Sequence, residues 1–512
     1  MFLKVLMLVL FFGIMVAVGI YCRRHAADVN GFVLGGRSVG PWLTAFAYGT
    51  SYFSAVIFIG YAGQFGWKYG IASTWIGLGN ALIGSLLAWA VLGRRTRIMT
   101  QYLNSATMPD FFGKRYDSTA LKIGASIIVF IFLIPYTASL YNGLSRLFEM
   151  AFGIPYVWCI VMMSVLTGIY VIAGGYMATA INDFIQGIIM LVGIVAVIAA
   201  VLGTRGGFVE SLNALAAVSD PSVSSAPGAF NSFFGPDPLN LLGVVILTSL
   251  GTWGLPQMVQ KFYAIKSENH IHKGTVISTL FAVVVAGGCY FLGGFGRLYD
   301  VDVASVGYDA IIPAMLSGLP DMLIALVVIL VLSASMSTLS SLVITSSSTL
   351  TIDLLKDHLI KKMTDKKQVL LIRCFVVVFI FISAAIAVFQ VQSKNDAVKY
   401  IAQLMGVSWG ALAGSFLAPF LYSLYWKKTT KLSCWVSFVF GSGVMLLNLF
   451  ARSAFPAILQ SPINCGAFTM LAGLIIVPIV SLFSRKPDKQ LVEDAFACYE
   501  RKVPAAQKNS LD

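Results

Sequence analysis

Two groups of residues in this chain have the right chemistry to hold a small cation, and both lie in stretches that are otherwise hydrocarbon. Asp183 sits in Ile181-Asn182-Asp183-Phe184-Ile185-Gln186-Gly187, inside a long apolar run. A carboxylate costs roughly 3 kcal/mol at the centre of a bilayer, and its oxygens suit hard cations. Near the interface such a residue can instead snorkel to water. The second group is made of hydroxyls. From Ser333 to Thr351, 12 of 19 residues are Ser or Thr. Ser337, Ser340 and Ser341 fall at i, i+3 and i+4, so a helix puts them on one face. One carboxylate, several hydroxyls and free backbone carbonyls make a dehydrated site for a monovalent cation. Small hydroxyl residues also bond back to their own helix and glue membrane helices together. That reading suits the distal group, Thr345–Thr349, better.

Free carbonyls require a broken helix, and two apolar runs are interrupted. One contains Ala47-Tyr48-Gly49-Thr50-Ser51-Tyr52-Phe53-Ser54, the other Leu250-Gly251-Thr252-Trp253-Gly254-Leu255-Pro256. Glycine weakens a helix and Pro256 removes a backbone donor. In a bilayer, broken backbone survives only where it lines a polar cavity or is buried in protein.

The elements that carry these residues span a membrane. The chain has 512 residues, 58% hydrophobic and 11% charged, against about 25% charged in a soluble domain. Apolar runs of about 20 residues, the length that crosses the hydrocarbon core as helix, recur throughout. They predict 13 spans, near 2–22, 41–67, 71–93, 119–147, 154–173, 177–203, 238–260, 274–296, 321–349, 369–391, 398–425, 430–451 and 466–484. With the N-terminus outside and the C-terminus inside, the cytoplasmic segments hold 26 of the 35 Lys and Arg residues, Lys261 counted among them as a loop residue. The positive-inside rule selects that orientation. The net charge of +13 then reflects loops facing anionic lipid headgroups rather than nucleic acid. The protein is expected in the cell (inner, cytoplasmic) membrane.

The broken spans are the second and the seventh, five apart. Two five-helix units offset by an odd number have opposite topology, the inverted-repeat plan of many secondary transporters, which places the binding site at the broken helices. The predicted division is a peripheral helix at 1–22, a ten-helix core at 41–425 built of 41–203 and 238–425, two peripheral helices at 430–484 and a cytoplasmic tail at 485–512. Seven cysteines are scattered singly and His270 and His272 lie in a basic loop, so no metal motif and no nucleophile–base constellation appears. An enzyme and a cofactor-dependent activity are not expected.

Four motifs, in order and each on its proper span, resemble the sodium:solute symporters: Leu34-Gly35-Gly36-Arg37-Ser38; Gly174-Gly175 with Asn182-Asp183-x-x-Gln186-Gly187; Gly254-Leu255-Pro256; and Ala334-x-Met336-Ser337-Thr338-x-Ser340-Ser341 running to Asp353-Leu354-Leu355-Lys356. The resemblance covers about Phe32 to Tyr425. It implies an all-helical, LeuT-like five-plus-five fold and sodium as the coupling ion. It places one sodium on the carbonyls of Thr50, Phe53 and Ala334 and the hydroxyls of Ser337 and Thr338. Some members, such as the sialic acid carrier, bind a second sodium at positions that match Asp183, Ser337, Ser340 and Ser341, so the resemblance leaves one or two sodium ions per cycle open.

A solute pocket is expected from Ser51, Tyr52, Tyr136, Thr248, Thr252, Trp253 and Gln257, with the aromatic residues as gates. Tyr52 stands where proline carriers have Asp, and Thr248 where they have Trp. The nearest local match is to pantothenate carriers. The sequence therefore predicts a sodium symporter that imports a small monocarboxylate of pantothenate type or, second, a zwitterionic amino acid such as proline. It is expected to act as a monomer. The alternative is a sensor that binds the solute without moving it.

Overall fold

The computed structural model describes residues 2–355, 363–391 and 401–500. The basic positions Lys356, Lys361 and Lys362, on which part of the orientation argument rests, lie outside the described residues. Helices account for the architecture. They are α1 (Phe2–Tyr21), α2 (Pro41–Tyr52), α3 (Ala62–Tyr69), α4 (Thr74–Gly79), α5 (Arg94–Tyr102), α6 (Met108–Arg115), α7 (Thr119–Phe152), α8 (Tyr156–Gly203), α9 (Pro238–Gly254), α10 (Pro256–Ala264), α11 (His270–Gly293), α12 (Asp321–Ser348), α13 (Asp365–Val391), α14 (Ile401–Tyr425), α15 (Lys431–Phe450), α16 (Pro462–Phe483) and α17 (Lys489–Phe496).

Among the described residues, nine helical stretches are long and apolar enough to cross a bilayer, ten when the bent pair α9 and α10 is counted as one span. The other predicted spans fall on shorter apolar helices, Val5–Tyr21 and Tyr156–Ile169, or share the 47-residue stretch Val56–Tyr102. The fifth and sixth predicted spans form one helical run, α8, turned sharply at Gly175, whose φ of 57° and ψ of −156° suit glycine alone.

Both predicted interruptions are real breaks. The helix α2 stops where Phe53 turns extended (φ −94°, ψ 123°). It resumes at Ala55, whose N–H is capped by the Ser335 hydroxyl at 3.0 Å. The second break is at Leu255, also extended, and the two halves α9 and α10 meet at 46°. Pro256 takes the first helical position of α10, where its lack of an N–H costs nothing. Gly254 is required by close approach, because a Cβ there would come within 2.8 Å of the backbone of α14 at Ala413 and Leu417.

Burial grades with position. The helices α12 and α14 are enclosed through the window that would cross the membrane, 83% and 94% buried. By contrast α13, α15 and α16 bury only 33%, 39% and 39% of theirs, as helices on the lipid-facing rim do. At the predicted cytoplasmic end, the Leu34–Ser38 motif forms a left-handed turn (Gly35, Gly36 and Arg37 all have positive φ). That turn carries the Arg37 guanidinium onto the carbonyls of Ser105 (2.5 Å) and Tyr263 (3.2 Å). Val39 pairs with the chain after α10, accepting from Lys266 N at 2.9 Å. Below them α17 seals the floor. Arg95 stacks on Tyr425 and Tyr499, and Arg115 lies over Phe496. At the opposite end a cavity of about 790 Å³ opens among the loops, bounded by Gln64, Tyr69, Asp237, Arg297, Tyr308 and Gln403. Asp302 caps a short helix through Ala304 N, and Asp309 is buried and accepts from Ile401 N.

Candidate functional site

The break in α2 strands backbone carbonyls that have no helical partner, and α12 brings hydroxyls to them. Thr338 Oγ1 lies 3.2 Å from Thr50 O, 3.2 Å from Phe53 O and 3.1 Å from Ala334 O. Ser337 Oγ lies 3.0 Å from both Thr50 O and Ala334 O. All five oxygens expected at the first sodium position therefore converge, from two elements nearly 290 residues apart in sequence. Each of the five residues is essentially fully buried. The set is neutral, rich in carbonyl oxygen and small, the donor chemistry a dehydrated monovalent cation needs. The two hydroxyls donate to these carbonyls. A cation would turn the same oxygens inward as ligands.

The second expected set does not converge on one point. Ser340 Oγ donates back to Ser337 O at 2.9 Å, along its own helix. Ser337 belongs to the first cluster. Ser341 Oγ meets Ser51 Oγ at 2.8 Å and the Lys261 ammonium at 2.8 Å. Asp183 is fully buried, and its one ionic neighbour among the described residues is that same ammonium, 3.9 Å away. Lys261 corrects the sequence reading. It was counted in a cytoplasmic loop, but the backbone stays helical through Ala264, and Lys261 is 2% exposed on α10. Its charge therefore belongs to the site. The available signal was the apolar residues on both sides of it, Met258, Val259, Phe262 and Tyr263, which a solvated loop would not carry.

The expected solute residues divide. Tyr52 and Tyr136 face one another across Trp409, each ring centroid 5.7 Å from the indole. The hydroxyls of Tyr52, Tyr136 and Ser54 and the Trp409 Nε1 are buried; Tyr136 has Ser54 and Trp409 within hydrogen-bonding reach, and Tyr52 has Thr248. This aromatic box of three rings with these polar ends carries the chemistry that suits a small polar solute. Thr248 hydrogen-bonds its own helix at Val244 O, 2.8 Å. Gln257 is buried with its carbonyl oxygen unused. Two expectations are corrected. Thr252 Oγ1 and Trp253 Nε1 bond to Gly84 O (3.0 Å) and Ile83 O (2.9 Å). They pin the second broken helix to its neighbour instead of lining the box. Ser51 is likewise drawn to Ser341. Trp409, which the sequence reading missed, sits deep in α14 and fits only because Gly251 leaves room. A Cβ on Gly251 would lie 2.8 Å from the indole.

A further buried charge cluster lies toward the predicted cytoplasmic end. Lys122 reaches Asp110 at 2.9 Å and Asp353 at 3.5 Å, and Asp353 accepts from Thr107 at 2.6 Å. Burial alone would raise the Asp110 carboxyl, but Lys122 and Lys114 hold it below its usual range. Asp353 was read only as the end of a motif. Here, in the helical turn Thr349–Leu355 that continues α12, it links that helix to α6 and α7.

The model of the sodium:solute symporter family matches residues 32–441. The osmoregulated proline transporter OpuE of Bacillus subtilis is 28% identical over 492 residues, 94% of this chain and 94% of that protein. A sodium/proline symporter of Staphylococcus aureus is 30% identical over 504 residues, 95% of this chain and 93% of that protein. Among solved structures, a substrate-bound, outward-open Na+-coupled sialic acid symporter superposes with a TM-score of 0.73 at 16% identity, covering 95% of this chain and 99% of that one. Mhp1, a nucleobase-cation-symport-1 family transporter, superposes with a TM-score of 0.51 at 14% identity, over 91% of this chain and 97% of that one. These likenesses show that the chain shares the fold of those two transporters.

Proposed function

The chain belongs to the sodium:solute symporter family, and from that premise we propose that it imports a small zwitterionic amino acid of proline type. The protein is a sodium-coupled, multi-pass membrane transporter and not an enzyme. Inward sodium movement supplies about 2.3 kcal/mol per charge per 100 mV, to which the sodium gradient adds. The residues 41–425 form the transport core in this reading, and the working unit is a monomer.

The observation that carries the proposal is the adjacency, along α2, of the oxygen cluster and the aromatic box. Thr50 and Phe53 supply carbonyls to the first, while Tyr52 and Ser54 supply side chains to the second. Sodium occupies the cluster of Thr50, Phe53, Ala334, Ser337 and Thr338. The solute carboxylate sits toward that ion and the N-terminal end of the helix that resumes at Ala55, whose dipole favours an anion. The secondary ammonium and pyrrolidine ring lie in the box of Tyr52, Tyr136 and Trp409, whose faces attract a cation and bury apolar area. Tyr52 and Thr248 replace the Asp and Trp of proline carriers, so the ammonium is held by aromatic faces and hydroxyls rather than by a carboxylate. The relatives named for proline, each matched over more than nine-tenths of both chains, favour this solute over a pantothenate-type acid.

Purified protein in proteoliposomes should accumulate labelled L-proline under an inward sodium gradient, and unlabelled L-proline should compete better than pantothenate. Uptake of pantothenate but not proline would overturn the solute assignment. Uptake indifferent to sodium would overturn the coupling site.

A further inference from the structure

Among the described residues, a carboxylate and an ammonium stand face to face beside the five-oxygen cluster. Asp183 on α8 and Lys261 on α10 are both buried, with Nζ and Oδ2 3.9 Å apart. The ammonium donates to Ser341 Oγ on α12 at 2.8 Å and lies 5.0 Å from the centroid of the Tyr176 ring. Neither Asp183 oxygen accepts a hydrogen bond among the described residues. An Asp–Lys pair kept only as structural glue would close to hydrogen-bond distance, since charge-assisted bonds form below about 3 Å. Here the ammonium is instead drawn off the carboxylate onto a hydroxyl. It stands among Asp183, Ser341 and the aromatic face as a bound cation would.

Three of the surrounding oxygens (two from Asp183 and one from Ser341) are those a free sodium ion would use. A sodium ion added beside a fixed ammonium would place two positive charges against one carboxylate in a medium that screens weakly. The ammonium and the ion therefore exclude one another.

We propose that Lys261 is a built-in cation that takes the place of a second sodium ion, so that the carrier moves one sodium ion per solute. The inference rests on the sodium-coupled reading above. It also gives the half-helix α10 a fixed electrostatic tether to α8 and α12, and α10 is the segment set at 46° to the other half of the broken span.

The test uses the full-length protein in proteoliposomes, with the sodium-to-proline ratio taken from reversal potentials and 22Na+ binding measured by scintillation proximity. The wild type should give a ratio of one, one bound sodium per carrier and a sodium Hill coefficient near one. Lys261→Ala should bind a second sodium, with the Hill coefficient rising toward two, and Asp183→Asn added to it should abolish that gain. Lys261→Arg, which keeps the charge, should stay at one. A wild-type ratio of two overturns the proposal, as does a Lys261→Ala protein that binds sodium but still only one ion. If the alanine variant fails to assemble, the wild-type ratio decides, one supporting and two overturning. Absence of any sodium dependence, in wild type and variants alike, would instead count against the coupling site at Thr338, which keeps the two readings separable.

Discussion

Thr338→Val keeps the shape of the side chain and removes one oxygen. That oxygen lies within 3.2 Å of three carbonyls, those of Thr50, Phe53 and Ala334. When the ion is bound it is one of five ligands. A contact between a charged group and one neutral polar group contributes about 1.5–3 kcal/mol, and every 1.4 kcal/mol is tenfold in affinity. The sodium concentration for half-maximal proline uptake should therefore rise roughly ten- to a hundred-fold, with the maximal rate recovered at high sodium if the break is otherwise intact. Ser337→Ala should behave alike. The control is Ser348→Ala on the same helix, whose hydroxyl donates at 2.6 Å to its own Ile344 carbonyl and touches no break. Initial rates in proteoliposomes over a sodium series, with folding checked by detergent-solubilised size exclusion, decide the matter. A half-saturation value within twofold of wild type in well-folded Thr338→Val would refute the assignment.

Asp309 offers a pH test outside the spans. Burial pushes its carboxyl up to about 6, the Ile401 N–H opposing only in part. A raised folded value means its stabilising contribution is full below the unfolded value of about 4 and is lost as pH rises through about 6. The melting temperature of Asp309→Asn relative to wild type should therefore rise across that window and level off above it, and a flat difference would contradict the burial argument. Gly66→Ala puts a methyl 1.9 Å from the Gly293 carbonyl. Backbone stands on both sides, so the cost should reach or exceed the upper end of about 1–3 kcal/mol and appear as lost monodisperse protein. Gly443→Ala, with nothing within 4 Å, should leave thermal stability unchanged or improved. For orientation, in a Cys374→Ser background, Ser222→Cys should react with an impermeant maleimide on intact cells and Lys428→Cys only after permeabilisation. The opposite pattern would invert the topology.

The sequence by itself determined the class, the breaks and which oxygens gather at the first break. Twenty-residue apolar runs have one stable arrangement in a bilayer, because helices alone satisfy every backbone group within the segment. Gly-Thr-Ser and Gly-Leu-Pro mark where that arrangement must fail, and Ser337 and Thr338 are hydroxyls with no reason to be in hydrocarbon unless something polar meets them. Periodicity fixes which face of a helix a residue occupies and says nothing about the helix opposite. For that reason the packing of Trp409 on α14 against Tyr52 and Tyr136, and the bonds of Thr252 and Trp253 to the carbonyls of Gly84 and Ile83, leave no signal in the sequence. The meeting of Lys261 with Asp183 was equally hidden. Composition reads a lysine past a proline as a loop charge, and only the continuation of α10 into the packed interior carries it to within 3.9 Å of the carboxylate. Local pattern decides where a chain can break or bury a polar group. Which charge meets which across spans is settled by helix packing, since pairs nearly 80 residues apart, such as Lys261 and Ser341, share no local signal.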